Sequence, residues 1–253
     1  GALHSGHASL GKKCAKENDI IVVSIFVNPT QFNNPEDLDK YPRNLERDLD
    51  FLSKLSNKPL LVFAPEVEEV YSTDVESENF DFKGLELEME GKFRPGHFDG
   101  VATIVSKLFK IVKPSNAYFG EKDYQQLLII DKMVESLELP VKIVPCEIYR
   151  EKDGLAMSSR NERLTSEQRN VASLIYKVLR TAKNGFGIDN VTLISEWVKD
   201  QFNSEPLLEL EYFTMAEAAT LKPVKTKEAN KRYRAFIAAY AGDVRLIDNM
   251  ALN

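Results

Sequence analysis

Two histidines in the first seven residues have the types and spacing for phosphate chemistry. His4 and His7 stand three positions apart in residues 1–7 (GALHSGH), so at a helix start they would share one face. The spacing of Leu3, His7 and Leu10 predicts that a helix begins here. Unpaired N–H groups and the helix dipole at such a start favour a phosphate. The alternative is an ordinary capped helix whose histidines bond only to their neighbours.

Further polar groups that could act on a nucleotide follow later in the chain. Lys122, within Gly-Glu-Lys-Asp at a predicted strand end, would supply a point charge to phosphates, and Asp123 could accept from ribose hydroxyls. Ser158, Ser159 and Arg160 form a polar loop suited to closing over a triphosphate. Each signal is weak alone, because such sequences more often form plain surface.

Other site chemistries are disfavoured by the sequence. Residues 6–13 nearly spell a P-loop, but Lys13 stands where a Ser or Thr for magnesium is needed, and no G-x-G-x-x-G is present. Three scattered histidines and two cysteines without metal-ligand spacing make a histidine-rich metal site improbable. The third histidine, His97, is expected to fix a glycine-flanked loop rather than to perform chemistry.

The elements that must position these residues alternate between strand and helix. This order is the signature of an α/β fold with a doubly wound parallel sheet. A continuous apolar run at 19–27 predicts a strand buried on both faces, and Phe80 and Phe82 suggest an edge strand within an acidic stretch. A helix at the very start calls for a preceding strand, which we expect to be missing. Further strands are predicted at 60–64, 117–119 and 141–149, and helices at 45–55, 101–112 and 124–137.

Residues 150–161 are polar and form a natural, flexible connection between two domains. We predict a Rossmann-like domain at 1–149, which would bind the ligands, and a smaller α+β lid domain at 150–253. Within the second domain, Thr165 and Gln168 form a capping-box pattern that opens a helix reaching about residue 183. A second helix at 191–203 and strands at 208–215, 233–240 and 244–248 complete this domain.

The overall composition excludes several classes of partner. A net charge of -6 and a pI near 5.3 argue against nucleic acid as the main partner. No run of eighteen apolar residues is present, so we expect no membrane contact. Cys14 and Cys146 are expected to be reduced thiols in a cytoplasmic protein.

Taken together, seven stretches resemble the pantothenate synthetase (pantoate–β-alanine ligase) family of the HIGH-motif nucleotidyltransferase superfamily. They occur in the family's order along essentially the whole chain, which makes the resemblance highly specific. A strand and a Pro-Thr-Met segment that usually precede the first glycine are not in this sequence. The matching stretches are GALHSGH at 1–7, FVNPTQF at 26–32, YPR at 41–43, EGKFRPGHFDGV at 90–101, FGEKDYQQL at 119–127, DGLAMSSRN at 153–161 and VRLIDN at 244–249.

This resemblance implies a two-step reaction. The carboxylate of (R)-pantoate attacks the α-phosphorus of ATP to give pantoyl adenylate and pyrophosphate, and the amine of β-alanine then releases AMP. It further implies Mg²⁺, a homodimer built on the larger domain, and a place in pantothenate and coenzyme A biosynthesis.

Residue roles are carried over by motif in the same way. Catalytic roles are implied for His7, as general acid, and for His4 and Lys122. ATP contacts are implied for Gly1, Ala2, Leu3, His4, Ser5, Gly6, His7, Gly120, Glu121, Lys122, Asp123, Tyr149, Met157, Ser158, Ser159 and Arg160. Pantoate or β-alanine contacts are implied for Gln31, Gln126, Asn28, Arg94 and Glu90, and help to the metal for Asp48.

Two alternatives stay open at this point. One keeps the superfamily but changes the substrate, as in another acid–amine ligase or a nucleotidyltransferase. The paired glutamines Gln31 and Gln126, each within a full family motif, argue against it. The other is a non-catalytic binding protein that kept the fold. Intact His4, His7 and Lys122 argue against this second alternative.

Overall fold

A computed structural model describes residues 2–32, 35–41, 43–71, 74–187 and 190–253. The chain divides into two compact units. The first contains Gly1–Glu121 and Gln125–Glu147, and the second contains Lys122–Tyr124 and Ile148–Asn253. The domains suggested at 1–149 and 150–253 stay a prediction, and no sequence pattern indicated that Lys122–Tyr124 groups with the second unit.

The first unit alternates helices with parallel strands. Strand β1 (Ile21–Ser24) pairs in parallel with β2 (Leu60–Phe63), and β3 (Asn116–Gly120) pairs in parallel with β4 (Lys142–Cys146). The α/β fold class is therefore confirmed. The helices of this part of the chain are α1 (Ser5–Glu17), α2 (Pro35–Asp39), α3 (Leu45–Ser53), α4 (Val67–Tyr71), α5 (Met89–Phe93), α6 (His97–Val112) and α7 (Tyr124–Ser136).

Strand β1 is shorter and less buried than its apolar sequence predicts. Ile21 is 1% exposed, but Val22 is 38% exposed and its cross-strand partner Leu61 is 60% exposed. Burial on both faces was therefore wrong for this strand. In the described residues the parallel strands form two separate pairs, and the register partners Val22 and Leu61 lie on the exposed face of the β1–β2 pair. After β1 the chain turns into a short 3₁₀ helix at Pro29–Gln31.

The core of the first unit lies between α6 and α7. Phe98, Val101 and Ala102 of α6 pack with Ile129 and Ile130 of α7. Helix α6 begins four residues earlier than predicted, after Gly96, whose φ of +77° suits a residue without a side chain.

The edge strand suggested around Phe80 and Phe82 is wrong. The Phe80 N–H donates to the Asp99 side chain at 3.1 Å rather than to a strand. The two phenyl rings stack at 5.8 Å and join the core of the first unit. Phe80 and Phe82 therefore lie in an irregular segment. The Phe80 N–H is bonded to the Asp99 carboxylate and not to a neighbouring strand.

The second unit packs helices on one antiparallel sheet. Strands β5 (Glu209–Glu217), β6 (Tyr233–Ala241) and β7 (Val244–Ala251) lie in the order β5-β6-β7. The expected α+β organisation is confirmed. The single helix predicted at 165–183 is divided into two helices, which are separated by Ser173. The helices of this unit are α8 (Ser166–Ala172), α9 (Leu174–Gly185) and α10 (Val191–Asn203).

Two remaining expectations concern membranes and thiols. Across the described ranges, no helix has both the length and the apolar character to cross a membrane.

Cys14 and Cys146 are free thiols. Burial raises the pKa of both, so neither environment favours a reactive thiolate at neutral pH.

Candidate functional site

The two N-terminal histidines cap helix α1 reciprocally. The Nδ1 atom of His4 accepts the Gly6 N–H at 3.1 Å, and the backbone N–H of His4 donates to Nδ1 of His7 at 3.3 Å. The two rings lie 4.0 Å apart between centroids. The alternative of an ordinary capped helix therefore agrees with part of the structure, since both imidazoles accept backbone N–H groups at the helix start.

This capping also assigns the ring protons. A nitrogen that accepts an N–H carries no proton of its own, so each neutral imidazole holds its proton on Nε2. The side chain of His7 is exposed and that of His4 is half-buried. Two N–H donors at a helix N-terminus are suited to bind phosphate oxygens.

Asp48 anchors the segment that leads into this helix. Its Oδ1 atom accepts the Leu3 N–H at 2.8 Å, and the residue is 2% exposed. The carboxylate belongs to α3, whose first turn is capped by the Asn44 side chain. No cluster of three or more His, Cys, Asp or Glu side chains fit to hold a metal ion occurs in the described part of the chain. The suggested help to a metal stays a prediction, and the anchoring of Leu3 is what the geometry contains.

Asn28 is the centre of a buried hydrogen-bond network after strand β1. It is 2% exposed, and its Nδ2 donates to the Gly100 carbonyl at 3.0 Å and to Oε1 of Gln31 at 3.4 Å. Its Oδ1 accepts from the Tyr71 hydroxyl at 2.5 Å and from Thr30 at 3.2 Å. Burial raises the pKa of Tyr71, which keeps the hydroxyl a donor at neutral pH. The network fixes the amide of Gln31 through Asn28.

The backbone of Gln31 is held as firmly as its side chain. Its carbonyl oxygen is 2.8 Å from Nδ1 of His97 and accepts from Arg94 at 3.3 Å. The Thr30–Gln31 backbone can pack closely against α6 because residue 100 is glycine. A Cβ at this position would lie 2.5 Å from the Thr30 carbonyl oxygen. His97 is buried, and the expectation that it fixes its surroundings agrees with this contact.

Arg94, the residue that follows α5, also pairs with Glu90 of that helix at 3.6 Å. The Glu90 backbone in turn donates to the Gln125 side chain at 3.0 Å, and Gln125 donates to the carbonyls of Leu85 and Glu88 at 2.8 Å each. Gln125 is therefore a structural residue that the sequence analysis missed.

A sequence signal for Gln125 did exist. This glutamine, Ile129 and Met133 recur at intervals of four and are all buried, so the helix places a polar side chain on its core face. Such a side chain must find partners. Gln126, its neighbour, is half-buried. In the part of the chain that the structure describes, no hydrogen bond joins Gln126 to Gln31, so the two predicted pantoate ligands are not tied together.

Lys122 and Asp123 lie in a short 3₁₀ helix between β3 and α7. The Nζ atom of Lys122 is 3.4 Å from Oδ1 of Asp123, with the two side chains 20% and 45% exposed. An ion pair this long and this exposed contributes little to stability, so the lysine is available to a stronger anion. Gly120 and Glu121 precede them at the end of β3 and the start of this turn.

The loop at 153–161 makes more internal contacts than its polar sequence suggests. Leu155 and Ser159 are buried, and Ser158 caps a 3₁₀ helix at Ser159–Arg163 by accepting the Arg160 N–H at 3.2 Å. The Met157 N–H donates to the carbonyl of the half-exposed Tyr149 at 3.0 Å. The flexible connection expected at 150–161 stays a prediction, while the structure shows buried side chains and a helix cap within the segment.

The structure groups the predicted residues within each unit. The phosphate candidates from Ala2 to His7 lie at the start of α1, while Gly1 lies outside the described residues. The 26–32 and 90–101 stretches are brought together through Gln31. Both of these groups belong to the first unit.

The chain is similar to known proteins over its full length. The family model described as pantoate-beta-alanine ligase matches residues 1–251. Pantothenate synthetase from Flavobacterium psychrophilum is 54% identical over 252 residues, with 100% of this chain and 89% of that protein covered. The pantothenate synthetase of Christiangramia forsetii is likewise 54% identical, with the same coverage.

Solved structures give the same answer. The crystal structure of pantothenate synthetase from Thermus thermophilus superposes with a TM-score of 0.92 at 40% identity and covers 100% of this chain and 90% of that one. Pantoate-beta-alanine ligase from Francisella tularensis, complexed with beta-gamma ATP and beta-alanine, has a TM-score of 0.80 at 38% identity, with 100% and 87% covered.

Proposed function

The chain belongs to the pantoate–β-alanine ligase family, and on this premise we propose that it joins pantoate to β-alanine at the expense of ATP. The observation that carries the proposal is identity of 54% to pantothenate synthetases along the entire chain. A relative bound to an ATP compound and β-alanine supports both substrates. The product is pantothenate.

The proposed chemistry has two displacement steps. In the first, a pantoate carboxylate oxygen forms a bond to the α-phosphorus of ATP while the bond to the bridging oxygen breaks, and pyrophosphate leaves with the electron pair. In the second, the β-alanine nitrogen bonds to the acyl carbon, AMP leaves, and the nitrogen loses a proton. Negative charge grows on the leaving phosphates in the first step, so donors aimed at them accelerate it.

His4 and His7 supply such donors in this proposal. Since both rings accept backbone N–H groups at Nδ1, their Nε2–H groups are the hydrogen-bond donors that a phosphate would meet. A neutral imidazole is a very weak acid, and an imidazolium would have to give up its capping bond. The hydrogen bonding therefore supports charge stabilisation by His7 rather than the general-acid role that the family resemblance suggested. Lys122 adds a point charge to the same phosphates.

We propose that Mg²⁺ enters with ATP as part of the substrate. Mg²⁺ keeps several waters and is commonly held by phosphates with only one or two carboxylates. The described residues offer no cluster of three acidic or histidine side chains, and the Asp48 Oδ1 atom already accepts the Leu3 N–H. This donor set does not build a metal site of its own, so no residue is assigned to the metal.

Gln31 and Gln126 are proposed to bind pantoate. A neutral amide can orient the carboxylate and donate to or accept from hydroxyl groups without quenching the nucleophile's charge. Asn28 holds the Gln31 amide at 3.4 Å and is itself held by Tyr71. Arg94 and Glu90 act through the Gln31 backbone and the α5 helix. Asp123 is proposed to accept from the ribose of ATP, and Ser158, Ser159 and Arg160 to bind its phosphates.

The test of this function is turnover by the purified chain. Pantothenate and AMP should form in equal amounts from ATP, Mg²⁺, β-alanine and (R)-pantoate, and a panel of other hydroxy acids should react more slowly. AMP formation without pantothenate, or faster reaction with another acid, would overturn the substrate assignment. ATP-induced thermal stabilisation without any turnover would instead support a non-catalytic binding protein.

Replacing Asp48 separates anchoring from metal binding. Asp48→Ala should lower kcat/KM for ATP by about five- to tenfold, because the Leu3 N–H loses a charged acceptor. Asp48→Asn keeps an oxygen acceptor at the same place and should stay within about twofold of the wild type by the same reasoning. Steady-state kinetics at two Mg²⁺ concentrations would check this. If the asparagine variant is as impaired as the alanine variant and Mg²⁺ rescues both, the anchoring role is wrong.

The homodimer and the cytoplasmic location also remain proposals. The exposed apolar side chains Ile20, Val22 and Leu61 on the β1–β2 pair support a contact surface on the first unit. The two free thiols support a reducing compartment. Light scattering on the purified chain should give the mass of two copies, and a single-copy mass at micromolar concentration would contradict the dimer.

A further inference from the structure

We propose that Asp248 and Asn249, adjacent on strand β7, are positioning residues that hold the Lys122 segment and the 153–161 loop for nucleotide binding. Both residues belong to the VRLIDN stretch at 244–249, to which neither the family resemblance nor the reaction gave a role. The inference rests on the proposed function for its kinetic consequence. Its structural basis lies wholly within the second unit.

Asn249 ties the Lys122 backbone to the sheet. The residue is 1% exposed, and its Nδ2 donates to the Lys122 carbonyl oxygen at 2.8 Å. The Oδ1 atom of the same amide accepts from Arg234 on the neighbouring strand β6. With its acceptor occupied by a guanidinium, the amide has one orientation, in which the NH₂ group faces Lys122. Asn249 thus fixes the backbone of Lys122, a residue 127 positions earlier in the sequence.

Strand β6 holds the other end of the same segment. The Arg234 guanidinium lies over the Tyr124 ring at 4.0 Å, and the Phe236 ring is 5.9 Å from that of Tyr124. Cation–π and aromatic contacts of this kind are directional and partly buried. Lys122 and Tyr124 are therefore held on either side of Asp123, which fixes the backbone from which the Lys122 side chain extends.

Asp248 acts on the second segment through Arg150. The two guanidinium nitrogens of Arg150 donate to both oxygens of Asp248 at 2.6 and 2.9 Å, and the Asp248 side chain is 1% exposed. Burial raises the pKa of Asp248, while the paired guanidinium opposes that shift. A buried carboxylate with a bidentate partner fixes the plane of the guanidinium.

The remaining donors of Arg150 reach the loop. Arg150 donates to the Gly154 carbonyl at 3.0 Å and to the Asn249 carbonyl at 3.2 Å. Gly154 has a φ of +94°, and a Cβ there would lie 1.9 Å from the Tyr176 ring. The turn at Gly154 is thereby locked at the start of the stretch that carries Ser158, Ser159 and Arg160. One strand consequently positions both of the unit's nucleotide-contacting segments.

A matched ion pair on the same sheet separates positioning from stability. Arg245 of β7 pairs with Glu211 of β5 at side-chain exposures of 17% and 15%, close to the 19% of Arg150. Both pairs join an arginine to a carboxylate through two guanidinium contacts. Within the described ranges, no hydrogen bond joins the Arg245 pair to Lys122 or Gly154, so its loss should affect folding alone.

The decisive variant is Asn249→Asp, which is isosteric. It keeps an acceptor for Arg234 and places an oxygen, which cannot donate, against the Lys122 carbonyl. We expect the KM for ATP to rise by at least about fivefold with the KM for pantoate within about twofold, because a hydrogen bond is lost and a buried carboxylate oxygen faces the Lys122 carbonyl. Hydrogen exchange in peptides covering 120–127 should rise, and Glu211→Gln should change neither readout.

Arg150→Lys tests the second segment in the same way. It keeps the charge beside Asp248 but loses the fork that reaches Gly154, so exchange should rise in 153–161 and not in 120–127. Unchanged exchange and unchanged ATP KM in both variants would overturn the inference, as would an equal rise in the two KM values. If the wild-type chain makes no pantothenate, the proposed function fails, while the exchange measurements still decide whether Asn249 and Arg150 hold these segments.

Discussion

Replacing His7 by alanine is expected to lower kcat/KM for adenylation by about 10²–10⁴, the usual range for losing a preorganised charge stabiliser or proton donor. The His7 ring sits at the positive end of α1 with its centroid 4.0 Å from that of His4, and its Nδ1 accepts the His4 N–H, so a neutral ring presents Nε2–H as its donor. The alanine variant removes that donor and half of the capping box at once. A thermal melt is therefore needed beside the kinetics, since lost capping costs only about 1 kcal/mol.

A second substitution at His7 distinguishes the two catalytic roles. In His7→Gln the amide nitrogen can occupy the place of Nε2 and still donate to a phosphate oxygen, but it cannot transfer a proton. If His7 stabilises charge by donation, this variant should recover at least about tenfold of the activity lost in His7→Ala, the share expected of one charge-assisted hydrogen bond. Equal loss in both variants, together with loss of one limb of the pH profile in each, would restore the general-acid role.

Replacing Gln31 by alanine is expected to raise the KM for pantoate by at least about tenfold while the KM for ATP changes little. In the proposed binding mode the Gln31 amide orients the carboxylate and hydrogen-bonds a hydroxyl group, and a site built to hydrogen-bond a hydroxyl discriminates strongly. The buried Asn28 Nδ2 also loses its contact with the Gln31 side chain. Gln126→Ala should also raise the KM for pantoate. Because no hydrogen bond joins Gln126 to Gln31 in the described residues, the effects of the two substitutions should be independent.

The control for these variants is Gln168→Ala. That glutamine closes the capping box of α8, where its Oε1 accepts the Thr165 N–H at 2.9 Å. It should lower the melting temperature without moving either KM. Titration of each variant with pantoate and with ATP separates the cases. If Gln31→Ala weakens both ligands equally, the glutamine serves the loop rather than the substrate, and the pantoate assignment is wrong.

Local patterns in the sequence predicted much of the fold and of the candidate site. The capping box at Thr165 and Gln168 and the helix start at His4 were readable because each depends on residues within four positions.

Contacts between distant residues could not be predicted in this way. Asp48 reaches Leu3 across 45 positions, Tyr71 reaches Asn28 across 43, and Asn249 reaches Lys122 across 127. Periodicity assigns a residue to one face of its element, but it does not identify the element that faces it. The burial of Leu155 and Ala156 within the polar stretch 153–161 was not predicted either, because their packing partners lie outside that stretch.

The missing side chain at Gly100 sets a practical limit on redesigning the acid specificity of this chain. The backbone of the Pro29–Gln31 turn approaches α6 so closely that even one added methyl group would displace it, as the 2.5 Å spacing to the Thr30 oxygen shows. An engineer who wants a different hydroxy acid therefore gains nothing by remodelling the turn, which would carry Asn28 and Gln31 out of place together. For the proposed pantoate site, a library confined to the side chains of Gln31 and Gln126 leaves this closely packed backbone in place.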